Sequence, residues 1–234
     1  MMNVFRRYEK KYLITQEQAA VICDVMSKHI TPDRFYEYIV QNLYFDTANW
    51  ESVRASIEKP IYKDKLRLRC YGELQRDDDV FLELKKKHKS VVYKRRIAVS
   101  AHDFQSSSVR EIASKNTSHI ARELKFFLDA HPVFERMLVS YKRTAFSGIE
   151  DRGLRVTFDE DVRYRQNNLE FSQPRDGNTI LPSGIVVMEI KTHGAMPLEL
   201  TRLFSEMGVF PVSFSKYGTC YTREYIERMV RKSA

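Results

Sequence analysis

The 234-residue chain is short of the residues that cross-link or punctuate a backbone, with three cysteines, eight glycines, seven prolines and one tryptophan. Cys23, Cys70 and Cys220 are odd in number, widely spaced and form no CxxC. That excludes a disulfide framework and a cysteine-based zinc site, and it points to a reducing compartment. So little glycine and proline excludes a collagenous or low-complexity chain. Long apolar runs are missing too: stretches such as 184–188 fall far short of the roughly 20 residues that a spanning helix needs. The N-terminal MMNVFRRYEKKYLI is charged too early and too often for a signal peptide. The six histidines (29, 88, 102, 119, 131 and 193) have no HExxH spacing, and neither a Walker A loop nor a GxGxxG occurs. A soluble, cytoplasmic protein is the expectation.

What the chain has is apolar material and positive charge. Hydrophobic residues make up 43%, enough for a core, and 39 Lys+Arg against 31 Asp+Glu give a formal charge of +8. A basic excess implies polyanionic partners: nucleic acid, nucleotide, a phosphate polymer or an anionic membrane surface. Composition does not choose among them. No linker-like stretch separates two cores, so residues 1–234 read as one domain.

Helical spacing is present at 15–29, with Thr15 and Gln18 as a capping box, and at 117–130. Residues 197–207 start at Pro197 and stop at Gly208. A C-terminal helix is expected at 221–232 and a weaker one at 48–58. Strand-like runs occupy 3–13, 37–46, 64–72, 79–87, 91–99, 136–147, 153–162 and 184–192, while 102–108 and 165–183 read as loops. The expected class is α+β with a largely antiparallel sheet.

Alternation on these strands carries the chemistry, because residues two apart share a face. Lys65, Arg67 and Arg69 lie opposite Leu66, Leu68 and Cys70; Glu83 and Lys85 lie opposite Leu82 and Leu84. Glu189 and Lys191 repeat the arrangement in MEIK, Arg155 and Asp159 in LRVTFDED, Lys94 and Arg96 in YKRR, and Glu9 and Lys11 in YEKK. For any one strand, an ordinary wet face is the simpler explanation. The same short dyad on strand after strand, with cations in excess, favours a strongly curved or closed sheet whose charged faces line a tunnel. Such crowding of Lys11, Arg67, Arg69, Lys85, Lys94, Arg143, Arg155 and Lys191 is strongly repulsive unless a polyanion sits among them. Guanidinium forks suit phosphate oxygens. The few acids are suited to a hard cation or to orienting lysines, and Glu83 is expected to pair with neighbouring cations.

The ordered set RYEKKYLI, NLYFDT, KLRLRCYG, FLELKKK, VVYKRR, SYKRTAF, LRVTFDED, MEIK and FSKYGTCY resembles the VTC domain. This is the catalytic domain of the vacuolar transporter chaperone polyphosphate polymerases, within the triphosphate tunnel metalloenzyme superfamily. The resemblance runs from about residue 5 to about residue 222. It implies an antiparallel β-barrel tunnel with a basic lumen, flanked by helices. It also implies transfer of the ATP γ-phosphate onto polyphosphate with Mn²⁺ or Mg²⁺. By motif, Lys11, Arg67, Arg69, Lys85, Arg143, Arg155 and Lys191 would act on the reacting phosphates. Lys94, Tyr141, Ser215 and Lys216 would bind substrate, and Glu189 would hold the metal. Tyr141 could equally pack between strands.

The partners implied are ATP and inorganic polyphosphate or pyrophosphate, plus a membrane protein that would bring the domain to the membrane periphery. No phosphate-sensing SPX segment or membrane anchor is apparent, as in stand-alone bacterial members. Two alternatives use the same residues: a tunnel-fold triphosphatase or polyphosphate hydrolase, and a non-enzymatic polyphosphate-binding module. Specific nucleic-acid binding ranks last, since the aromatics mostly alternate toward the apolar side.

Overall fold

The computed structural model describes residues 8–58, 60–89, 91–171 and 176–233. In chain order the elements are β1 (Tyr8–Thr15), α1 (Gln16–Met26), β2 (Ile30–Asp46), α2 (Glu51–Glu58), β3 (Tyr62–Tyr71), β4 (Asp79–His88) and β5 (Val91–Ser100). Then come α3 (Ala101–Ser106), α4 (Val109–Lys115), α5 (His119–Ala130), β6 (Phe134–Gly148), β7 (Arg155–Arg165) and β8 (Asn178–Thr179). The chain finishes with β9 (Ile185–Thr192), α6 (Leu198–Glu206) and α7 (Lys216–Ser233). Hydrogen-bonded neighbours follow the order β1-β9-β7-β6-β2-β3-β4-β5, with β8 against β7. Neighbours on either side of β3, β4 and β9 run antiparallel. The α+β class expected from the sequence is present, with helices and an antiparallel nine-stranded sheet.

Two compact units divide the chain. The first takes residues 1–38, 141–162 and 181–215, and the second 39–140, 163–180 and 216–234. In the first unit, Tyr12 and Ile14 of β1, Val156 and Phe158 of β7, and Val186, Met188 and Ile190 of β9 pack on Ile22 and Met26 of α1 and on Leu200 and Phe204 of α6. In the second, Leu66, Leu68 and Cys70 of β3, Leu82 and Leu84 of β4, and Ile97 and Val99 of β5 pack on Leu124, Phe127 and Leu128 of α5. Each apolar strand face thus meets a helix, so the charged face is turned away from that core.

Local chemistry explains most helix ends. The Thr15 capping box forms as expected: the Gln18 amide donates to Thr15 Oγ1 at 3.2 Å, and the Thr15 amide donates to Gln18 Oε1 at 3.0 Å. Gly208, at φ +63°, follows α6 where a side chain would be strained. The stretch read as a loop at 102–108 is instead largely helical. Ser100 caps α3, and Ser108 forms a capping box with Glu111 on α4. Serines that look like loop composition serve here as caps. β2 begins at Ile30, well before 37, because a positive φ of 39° at Tyr36 breaks the alternation that would announce it. α7 begins at Lys216 rather than 221; Gly218 inside its first turn masks it. Of the strand expected over 3–13, residues 3–7 lie outside the described residues, as do 172–175 of the expected loop. Among the described residues no helix is long and apolar enough to cross a membrane.

Candidate functional site

In the first unit the register stacks charged residues in rungs. Glu9 lies across from Lys191, and Lys191 from Arg155; Lys11 lies across from Glu189, and Glu189 from Thr157. The Glu189 carboxylate is almost fully buried and receives two ammonium groups, Lys191 Nζ at 2.5 Å on Oε1 and Lys11 Nζ at 3.4 Å on Oε2. Lys11 also pairs with Glu9. Burial alone would raise the Glu189 pKa, but Lys191, Lys11 and Arg143 outweigh it and hold the carboxyl ionised, well below the usual range. Burial likewise acts against the Lys11 charge, and Glu189 and Glu9 overcome it, raising the Lys11 pKa.

Arg143 and Asp159 form a buried fork, with Nε donating to Oδ1 at 2.6 Å and Nη2 to Oδ2 at 2.8 Å. The Arg143 guanidinium stands 5.2 Å from the centre of the Tyr141 ring. Arg155 Nη2 donates to Asp33 Oδ2 at 2.9 Å and to the Tyr38 hydroxyl at 3.3 Å.

In the second unit one carboxylate gathers four cations. Glu83 is 1% exposed. Its Oε2 accepts from Arg67 Nε at 2.9 Å and Nη2 at 2.8 Å, with Arg69 Nε 4.0 Å away. Its Oε1 lies 2.7 Å from Lys94 Nζ and 3.4 Å from Arg96 Nε. Burial pushes the Glu83 pKa up, but Arg67, Arg69 and Lys94 prevail and bring it down to about 2. The reciprocal effect appears at Lys94: burial lowers its pKa, Glu83 supports its charge, and Arg69 and Arg67 push it further down.

Arg69 Nε also donates to Asn42 Oδ1 at 2.9 Å, and Arg67 Nη1 to the Tyr44 hydroxyl at 3.3 Å. Tyr44 stacks on Tyr217 at 4.2 Å, beside Lys216 at the start of α7. The Tyr217 hydroxyl donates to buried Asp46 at 2.9 Å, which ties α7 to the residues before α2. A buried site with one acid among four cations has unspent positive potential, and phosphate oxygens are the natural acceptors for it.

Among the described residues, no group of three or more His, Cys, Asp or Glu is arranged to hold a metal ion. A fully protein-coordinated cation therefore does not fit. A hydrated Mg²⁺ or Mn²⁺ that shares its shell with substrate phosphates needs only one or two carboxylates. Glu189 is an ionised hard-oxygen donor. Across from it, Thr157 Oγ1 is buried with no hydrogen-bond partner among the described groups. A carboxylate beside an orphaned hydroxyl suits a metal-bound water, so the residues present fit a cation of this kind.

The first unit therefore brings together Lys11, Tyr141, Arg143, Arg155, Glu189 and Lys191. The second brings together Arg67, Arg69 and Lys94, with Lys85 opposite Lys94 in register. Ser215 directly precedes α7, and Lys216 opens it. Sequence reasoning set Arg96 on the same face as Lys94 but did not count it among the site residues, although it pairs with Glu83. It also left out Asp33, Tyr38, Asn42 and Tyr44, which are recognisable only once the strands are paired.

No curated protein matches the chain. Among solved structures, a Bacillus halodurans protein described as a candidate adenylate cyclase is similar at TM-score 0.50 and 15% identity, covering 88% of this chain and 92% of its own. A Hippeastrum candidate adenylyl cyclase, described as having a dominant triphosphatase activity, is similar at TM-score 0.53 and 16% identity, covering 93% and 96%. At such identities the likeness establishes a shared fold. Residues 6–225 match the family model for the VTC domain, and the chain belongs to that family.

Proposed function

We propose that the protein is a polyphosphate polymerase that transfers the γ-phosphate of ATP onto phosphate or polyphosphate. The observation that carries this reading is the buried Glu83 cluster, in which Arg67, Arg69, Lys94 and Arg96 surround a single acid. Membership of the VTC domain family supports it. Within the first unit, Lys11, Arg143, Arg155 and Lys191 would act on reacting phosphates, and Tyr141 and Ser215 would bind substrate; within the second, Arg67, Arg69 and Lys85 would act on reacting phosphates, and Lys94 and Lys216 would bind substrate. Arg143 is committed to Asp159 through two nitrogens, so its third, Nη1, would face substrate. A divalent cation bound at Glu189 would neutralise charge on the phosphate oxygens.

The acceptor is an anionic phosphate oxygen. It forms a bond to the γ-phosphorus while the bond from that phosphorus to the β–γ bridging oxygen breaks, and the electron pair leaves on ADP. Because the nucleophile is already deprotonated, the chain need supply no general base. Positioning and charge neutralisation by the arginines and lysines lower the barrier.

The test is incubation with ATP and Mn²⁺ or Mg²⁺, followed by separation of polymer from orthophosphate. Long polyphosphate should form, and Glu189→Gln and Arg67→Ala should each abolish it. Release of orthophosphate alone would assign the hydrolase chemistry instead. Unchanged synthesis in both variants would overturn the proposed roles.

A further inference from the structure

Behind the cations of the second unit, β2 presents a row of buried polar side chains. Asn42, Tyr44 and Asp46 are spaced two apart and share a face. Asn42 stands across from Arg69 and Tyr44 from Arg67, and each accepts a hydrogen bond from the guanidinium it faces. Asp46 is bound differently. Its Oδ1 accepts from the Thr47 and Ser52 amides, both at 2.9 Å, and its Oδ2 from the Val53 amide at 3.0 Å and the Tyr217 hydroxyl at 2.9 Å.

Three of those bonds are local and close the turn between β2 and α2. The fourth crosses 171 residues of sequence to α7. Tyr217 is buried, and its ring lies parallel to that of Tyr44, with centroids 4.2 Å apart and 1° between the planes. Stacking resists separation of two rings but restrains their sliding only weakly. The directional bond to Asp46 fixes the slide. Burial and the Asp46 carboxylate both push the Tyr217 pKa upward, so the hydroxyl keeps its proton and stays a donor.

This ring pair sits among cations. Lys65 Nζ stands 5.9 Å from the centre of the Tyr217 ring, and Tyr44 accepts from Arg67. α7 opens with Lys216, the residue before Tyr217. Repulsion among three cations favours movement of the helix end away from the sheet. A neutral tyrosine opposes that movement without setting another carboxylate against the cations.

We propose that Tyr217, anchored on Asp46, is a positioning residue that holds Lys216 at the phosphate site of Arg67. The inference rests on the reading in which Lys216 and Arg67 bind phosphate oxygens. Tyr217 and Asp46 act through the lysine, by fixing where α7 begins.

The experiment is calorimetric binding of tripolyphosphate to the full chain, without ATP or metal, at a temperature below the melting point of every variant. Tyr217→Phe keeps the stack and the three local bonds of Asp46, and it should weaken binding by about fivefold, as for one lost hydrogen bond. Lys216→Ala should weaken it by about tenfold. In the double variant, Tyr217→Phe should add less than about twofold, because its effect passes through the lysine. Thr222→Ala deletes another hydroxyl bond on α7, to the Gly218 carbonyl at 3.0 Å, and should keep wild-type affinity. Wild-type affinity in Tyr217→Phe, or a Thr222→Ala loss as large as that of Tyr217→Phe, would overturn the positioning role. Full additivity in the double variant, with the Lys216→Ala loss retained, would overturn it while leaving phosphate binding by Lys216 intact. Unchanged affinity in Lys216→Ala would instead remove the underlying phosphate-binding reading, and the positioning role with it.

Discussion

Replacing Glu83 with glutamine is the most informative single perturbation. The carboxylate is 1% exposed and lies among Arg67, Arg69, Lys94 and Arg96. Its pKa falls from 4.5 to about 2 on folding, which by linkage is worth about 3 kcal/mol at neutral pH. Removing one partner of a buried ionic cluster typically costs about 3–5 kcal/mol, a consistent figure. For a chain of this size, 3 kcal/mol lowers the melting temperature by about 6–12 °C.

The pH dependence follows from the direction of the shift. The folded-state pKa lies below the unfolded one, so the wild-type advantage is complete above about pH 5 and drains away as pH falls toward 2. By about pH 3 more than half of it is gone. Thermal or urea unfolding of both proteins from pH 7 to pH 3 should show the gap closing. Tripolyphosphate supplies replacement anions and should restore about 3 kcal/mol to the variant at a hundred times its Kd. A gap below about 1 kcal/mol at pH 7, or one that does not narrow on acidification, would refute the reasoning.

Arg143→Lys keeps the charge but loses the fork to Asp159, and should destabilise the protein by about 2 kcal/mol or more in urea unfolding. Thr157→Val removes a buried hydroxyl that has no hydrogen-bond partner among the described residues, so its melting temperature should hold or rise, by up to about 1 kcal/mol equivalent. If that hydroxyl orients metal-bound water, the same variant should need about tenfold more Mn²⁺ for half-maximal polymer synthesis, and Thr157→Ser should recover it.

Much of this arrangement was legible along the chain, because period-two alternation states which residues share a face. That placed Lys65, Arg67 and Arg69 together and set Glu189 beside Lys191 before any strand was paired. The Thr15–Gln18 cap was equally plain, being local chemistry three residues apart. What alternation does not give is the neighbour across the ladder. Arg143 looked like any other phosphate-seeking arginine, and only the fold reveals its fork with Asp159, sixteen residues on. Asp33 and Tyr38, the partners of Arg155, were hidden because positive φ at Tyr36 disrupts the pattern around them. The loop expected at 102–108 is largely helix, because Ser100 and Ser108 cap α3 and α4.

The destination of the γ-phosphate tests the central claim most directly. With ATP labelled at that position, Mn²⁺ and a short polyphosphate acceptor, the label should enter chains longer than the acceptor in step with ADP release, and Arg67→Ala should prevent both. Label found solely in orthophosphate, or ADP released at the wild-type rate by Arg67→Ala, would contradict it.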